Sequence, residues 1–200
     1  MPGTDVLELL MRGGWMMIPI LACSLVALTI TIERAWRFQS LQYSLYADRM
    51  IKLAGQGKFT DALALAEQRP SPTLNVLAAG ISHREQHPGK AMEATGLREI
   101  SDLKRRLAVL DTIITLGPLL GLLGTIIGMI DSFGIMAQSG LGNPHAVTGG
   151  VAEALICTAA GISVAVITLI PYNYFLTRVE QETERIEQYA TQMQGTLHES

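Results

Sequence analysis

The chain has 200 residues, 48% of them hydrophobic and only 16% charged, with a mean hydropathy of +0.29. That balance disfavours an ordinary soluble domain of this length. A net charge of -3 and a pI near 5.8 leave no basic footprint, so nucleic acid is not an expected partner.

Taken in chain order, residues 1–14 are a short leader to the first uncharged window and carry one basic residue, Arg12. The window itself, 15–32, is 18 residues without a charge. It is too long for a signal peptide, lacks a basic start and ends in Glu33-Arg34 without an Ala-x-Ala site, so it is expected to be retained as a span. The polar segment 33–111 reads as helices. The first is expected to run on through 33–54 and stop at Gly55-Gln56-Gly57. A short one over 60–68, apolar at Leu63, Leu65 and Ala66, is closed by Arg69-Pro70. A third spans about 73–86 and stops at His87-Pro88-Gly89. A long helix then leads from about residue 90 directly into the second uncharged window, 112–130.

That long helix carries a seam. Ile100, Leu103, Leu107, Leu110, Ile114, Gly117, Gly121, Gly124 and Gly128 are spaced alternately three and four apart, which keeps one face against a neighbour. Outside lipid the seam is aliphatic, because burial from water drives association there. Inside lipid that drive vanishes, and glycines let backbones approach for dispersion contacts instead. Pro118 removes a backbone bond within the span and is expected to kink it. A loop over 131–150 has no basic residue. The third uncharged window, 154–177, has 24 residues, and the span is placed at 151–175. A helical tail, 176–200, continues it, with a second seam at Leu176, Val179, Thr183, Ile186, Ala190 and Met193 and with Glu180, Glu182, Glu184 and Glu187 mostly off it. This seam fits packing within one subunit or between subunits.

At 1.5 Å per residue the three windows reach about 27, 28 and 36 Å, against a hydrocarbon core of roughly 30 Å. They are apolar or small all round, unlike the one-sided helices of a soluble core. The expected fold is all-α: three transmembrane helices with long extensions into a helical bundle. Orientation follows from Lys and Arg, 14 of 15 of which lie in 33–111 and the tail. The positive-inside rule makes that side cytoplasmic, with a periplasmic N-terminus and a cytoplasmic C-terminus.

Signs of catalysis are lacking: there is no GxSxG, HExxH, Walker or GxGxxG pattern, and His83, His87, His145 and His198 all lie outside the windows. Cys23 and Cys157 sit in apolar windows without ligand spacing and read as small core residues. No metal and no cofactor are expected. Within the spans, Glu153 lies about one turn into the third helix. Two readings stand for it, an interfacial group with water access or a functional intramembrane carboxylate. Thr125, beside the glycine seam, and Thr158, in the run Cys157-Thr158-Ala159-Ala160-Gly161, either bond a preceding carbonyl of their own helix or line a conduit. No carboxylate, His or Lys lies at mid-depth. If protons cross, this chain supplies walls and hydroxyls and a partner supplies the carrier. The lack of clustered ion-ligating oxygens favours protons over sodium.

The stretch from Gly117-Pro118-Leu119-Leu120-Gly121 through Gly124-Thr125 and Gly128 to Asp131-Ser132-Phe133 resembles the second-span motif of the MotA/TolQ/ExbB proton-channel family. Gly150-Val151-Ala152-Glu153-Ala154 through Thr158-Ala159-Ala160-Gly161 resembles its third-span motif, and Gly14-Trp15 through Glu33-Arg34 the first span of ExbB proteins. The resemblance implies a bacterial inner-membrane homo-oligomer, a pentamer, around the single-span helices of an ExbD/TolR-like partner whose aspartate carries the proton. A TonB-like protein would then be energised for outer-membrane transport. Thr125 and Thr158 match the family's lumen-facing threonines, and Glu153 its third-span glutamate. The short polar segment disfavours a flagellar MotA; Gly14-Trp15 and compact length favour ExbB over the TolQ of the Tol-Pal system. A non-conducting scaffold assembled through the glycine seam is the competing class. One departure stands out: where the family often has Ala-Ile-Pro-Ala, this chain has Ala165-Val166-Ile167-Thr168, with Pro171 four residues beyond.

Overall fold

A computed structural model describes residues 13–39, 44–139 and 144–199. Among them there are seven helices and no strand: α1 Met17–Gln39, α2 Ser44–Gly55, α3 Phe59–Gln68, α4 Pro72–Ser82, α5 Pro88–Lys104, α6 Leu107–Ser139 and α7 Pro144–Glu199. Three helical stretches are long and apolar enough to cross a membrane. The chain divides into two compact units, Met1–Glu33 with Ala108–Asn173 and Arg34–Leu107 with Tyr174–Ser200. We call them the membrane unit and the extramembrane unit.

The extramembrane unit is built on a core that follows from local sequence. Ala47, Met50 and Ala54 of α2, Leu74, Val76, Leu77 and Ile81 of α4, Met92 of α5 and Ile186 and Met193 of α7 are buried together. Small residues let the helices close up: a Cβ at Gly80 would strike the Met92 side chain. The turn after α2 is set by Gly57 at φ +74°, a left-handed residue that lets Gly57 N–H reach Ala54 O and Lys58 N–H reach Leu53 O. Ser71 starts α4, its hydroxyl accepting from Leu74 N–H at 3.3 Å, with Pro72 in the first helical position. Helix α4 ends at Ser82, four residues short of the expected stop, because Arg84 N–H and Gln86 N–H bond carbonyls only three residues back. The expected continuation of the first span through residue 54 falls partly on 40–43, outside the described residues.

The helix expected to run unbroken into the second span is interrupted at Arg105-Arg106. Arg105 keeps helical angles, φ -50° and ψ -41°, and its N–H bonds Ser101 O. Asp102 O accepts from Arg34 Nη2 at 3.5 Å. Arg34 is only 1% exposed, and its Nε and Nη1 meet no acceptor among the described residues.

In the membrane unit α6 runs through Pro118 and on past Ile130, and α7 runs through Pro171. Each proline leaves one carbonyl without its helical donor, at Ile114 and Ile167. Much of the segment expected as a loop over 131–150 is helical, to residue 139 and again from 144. Large aliphatics stand exposed along all three helices, among them Ile18, Leu25, Leu119, Ile130, Ile167 and Ile170. A surface that apolar suits lipid and not water. Trp15 (63% exposed), just ahead of α1, and Trp36 (77% exposed), within it, stand near the two ends of the first span, where aromatic anchors sit at membrane faces.

Candidate functional site

The contact between α6 and α7 is where the candidate residues gather. Gly117, Gly121 and Gly128 of α6 face the backbone of α7, and Gly124 faces the Cys157 side chain. A Cβ on Gly117 would lie 2.9 Å from Gly161 O, and one on Gly121 would lie 2.9 Å from Thr158 Cα. At Gly124 it would strike Cys157 Sγ, and at Gly128 it would lie 2.9 Å from Ala154 Cβ. The approach is reciprocal, since a Cβ on Gly161 would fall on Gly117 O. Four glycines in register thus meet a stripe of small residues on the same chain: Gly150, Ala154, Thr158, Gly161 and Ala165. The face on which a scaffold would have assembled with other copies is occupied from within. Between Leu110 and Gly117 the buried seam residue is Ile113, with Ile114 only half-buried.

This closeness decides what Thr158 does. Its Oγ1 donates to Gly121 O at 2.8 Å, across to the neighbouring helix and not to its own preceding turn. A side chain at position 121 would hold the helices too far apart for that bond. Thr125 behaves otherwise: its Oγ1 donates to Leu122 O at 2.7 Å within α6, and the residue stays partly exposed. Glu153, exposed on α7 one residue before the buried Ala154, does not stand alone. Its carboxylate lies where a Cβ of Gly14 would be, at the opening of α1. The structure therefore brings Thr158 onto the glycine seam and Glu153 onto Gly14, while Thr125 bonds within its own turn.

Other groups were missed by sequence reasoning. Ser132, buried, donates to Gly128 O at 2.7 Å and fills the space beside Gly150. In the extramembrane unit Glu182, expected off the tail seam with the other glutamates, is only 5% exposed, while Glu180, Glu184 and Glu187 face outward. It pairs with Arg185 at 3.2 Å and receives the Thr73 hydroxyl. Burial pushes its carboxyl above the usual carboxylate range, and Arg185, Thr73 and Arg178 offset only part of that. The seam spacing gave no signal for this residue, but a carboxylate three residues before an arginine on one helix face was a visible hint.

Comparison with known proteins places the chain among membrane-transport relatives. Residues 68–188 match the model of a family described as the MotA/TolQ/ExbB proton channel family. Over 191 residues the chain is 32% identical to biopolymer transport protein ExbB-like 3 of Synechocystis sp., covering 88% of this chain and 91% of that protein. It is 33% identical over 189 residues to ExbB-like 1 of the same organism, covering 90% and 74%. The Tol-Pal system protein TolQ of Pseudomonas aeruginosa is 36% identical over 109 residues, 54% of this chain and 47% of that one.

Proposed function

We propose, because this chain belongs to the MotA/TolQ/ExbB proton channel family, that it is the channel-forming subunit of an inner-membrane motor driven by the proton-motive force. One observation carries the reading. Between Asp111 and Asp131, and again between Glu153 and Arg178, no Asp, Glu, His, Lys or Arg occurs, nor does any within 15–32. A proton crossing the apolar depth needs a titratable group there. This chain supplies hydroxyls, so the carrier is a carboxyl on a partner, a single-span ExbD/TolR-like helix held by several copies of the chain, five on the family resemblance.

Thr125, Thr158 and Glu153 form the chain's side of the path. A hydroxyl that donates to a carbonyl still has lone pairs to accept a proton donor, so Thr158 can receive a hydrogen bond from a protonated carboxyl or a water while its own proton rests on Gly121 O. Glu153 stands nearer the span's outer end and feeds or drains the relay. The excess of Lys and Arg in 33–111 and 176–200 supports a cytoplasmic extramembrane unit and a periplasmic N-terminus. A TonB-like protein is then the energised component. The near full-length match to ExbB-like relatives favours that assignment, and the TolQ relative keeps the Tol-Pal motor as the second reading.

The test is energised uptake in cells with Thr158→Val or Glu153→Ala. Loss of uptake with assembly retained is expected; full uptake in both would remove these residues from the mechanism.

A further inference from the structure

We infer that Gly14 is a positioning residue for Glu153, seating its carboxylate on the opening turn of the first span. The inference deepens the proposed proton path and rests on it for its transport readout alone.

Two separate features require glycine at position 14. Its φ of +68° is left-handed, where an L side chain is strained. The second comes from another helix: a Cβ on Gly14 would fall on Glu153 Oε1 and lie 2.9 Å from Glu153 Cδ. Strain alone would be satisfied by asparagine, which tolerates such angles; the collision would not.

The backbone at position 14 is also held in place. Met17 N–H donates to Gly14 O and Ile18 N–H to Trp15 O, each at 3.1 Å, which closes the turns that lead into α1. Met16, Met17 and Ile20 are buried with Cys157 of α7, and a Cβ on Gly13 would meet Met17 and Ile156. The turn therefore cannot retreat from α7 to make room. The opening of a helix carries the positive end of its dipole, so a carboxylate is favoured in this position. Glu153 is thereby held by α1 at one end of the α6–α7 contact. A shift of α1 along α7 moves the carboxylate with it.

The experiment measures energised uptake, at matched membrane levels and with the native partner, for Gly14→Ala, Glu153→Asp and the double variant. Gly14→Ala is expected to lower uptake about tenfold or more, since an ångström of misplacement costs that much. Aspartate withdraws the carboxylate by one methylene and frees the space, so the double variant should exceed Gly14→Ala by about threefold, an interaction that independent sites do not show. Full uptake in Gly14→Ala, or a double variant no better than Gly14→Ala, overturns the inference. A second readout needs no substitution and covers a variant that fails to accumulate: the carbon-13 distance between Gly14 Cα and Glu153 Cδ in the full chain in lipid. It should be within about 4.5 Å, the 2.9 Å from the added Cβ plus one carbon–carbon bond of ~1.5 Å; a distance beyond about 7 Å, where contact is impossible, overturns the seat. If the distance holds while Glu153→Ala leaves uptake intact, Glu153 leaves the proton path and the seat stands.

Discussion

Thr158 Oγ1 hydrogen-bonds the carbonyl oxygen of Gly121 at 2.8 Å, so one hydroxyl both ties the third span to the second and sits on the proposed proton path. The two roles separate by magnitude. A cross-helix hydroxyl bond in a membrane averages about 0.6 kcal/mol and reaches about 1.7. Thr158→Val should therefore leave the fold intact and lower thermal stability by less than about 2 kcal/mol while abolishing proton-driven work. Thr158→Ser, which keeps the hydroxyl, should retain most of the activity. Equal activity in valine and serine variants, measured as uptake at matched protein levels, would remove the hydroxyl from the path.

Gly121 gives the converse prediction. Its Cβ would meet Thr158 Cα, part of the backbone, so no rotamer change can relieve the clash. Gly121→Ala should cost roughly 1–3 kcal/mol and Gly121→Leu should prevent α6 and α7 from closing. Denaturant unfolding in detergent would show this in the isolated chain, before any assembly. An alanine variant of unchanged stability would contradict the intrachain seam.

Glu182 sets a pH dependence. Burial raises its carboxyl above the usual range, so the folded chain binds this proton more tightly than the unfolded one. Stability from this group is present below the ordinary carboxylate value and is lost as pH rises through the raised one. Glu182→Gln should flatten the fall in melting temperature as pH rises above the ordinary carboxylate range. Its partner Arg185 is half-exposed, so losing the ion pair should matter little. An unchanged pH profile in the glutamine variant would place the slope elsewhere.

Ser71 offers a test confined to the extramembrane unit. Removing its bond to Leu74 N–H by Ser71→Ala should cost about 1 kcal/mol. Hydrogen exchange should rise in the first turn of α4 while the protection of α6 stays as it was. Protection unchanged in α4 would show that Pro72 alone sets the helix start.

Much of this was legible in the sequence because lipid imposes simple rules. Uncharged windows gave three spans, and the alternating spacing from Ile100 to Gly128 marked the packed face of α5 and α6. What the spacing could not reveal was the partner. A seam states that a face is covered, not by what, and only the matching stripe from Gly150 to Ala165 identifies α7. Thr158 was hard to place for the same reason: a membrane threonine ordinarily bonds its own helix, as Thr125 does, and only the glycine opposite lets it reach across. The burial of Arg34 and Glu182 was not legible because charge placement predicts exposure, although the spacing of Glu182 and Arg185 hinted at their pairing. Both are buried by helices distant in sequence, Arg34 against the carbonyl of Asp102 and Glu182 beside Thr73. The interruption at Arg105-Arg106 could not be read from helix propensity.

The central claim is that this chain lines a proton path without owning the mid-depth carrier. Proton flux into liposomes tests it most directly, with the chain reconstituted alone and then together with its single-span partner. The account predicts negligible flux alone, flux on adding the partner, and its loss when the partner's intramembrane carboxyl is neutralised. Equal flux from the chain alone would contradict it.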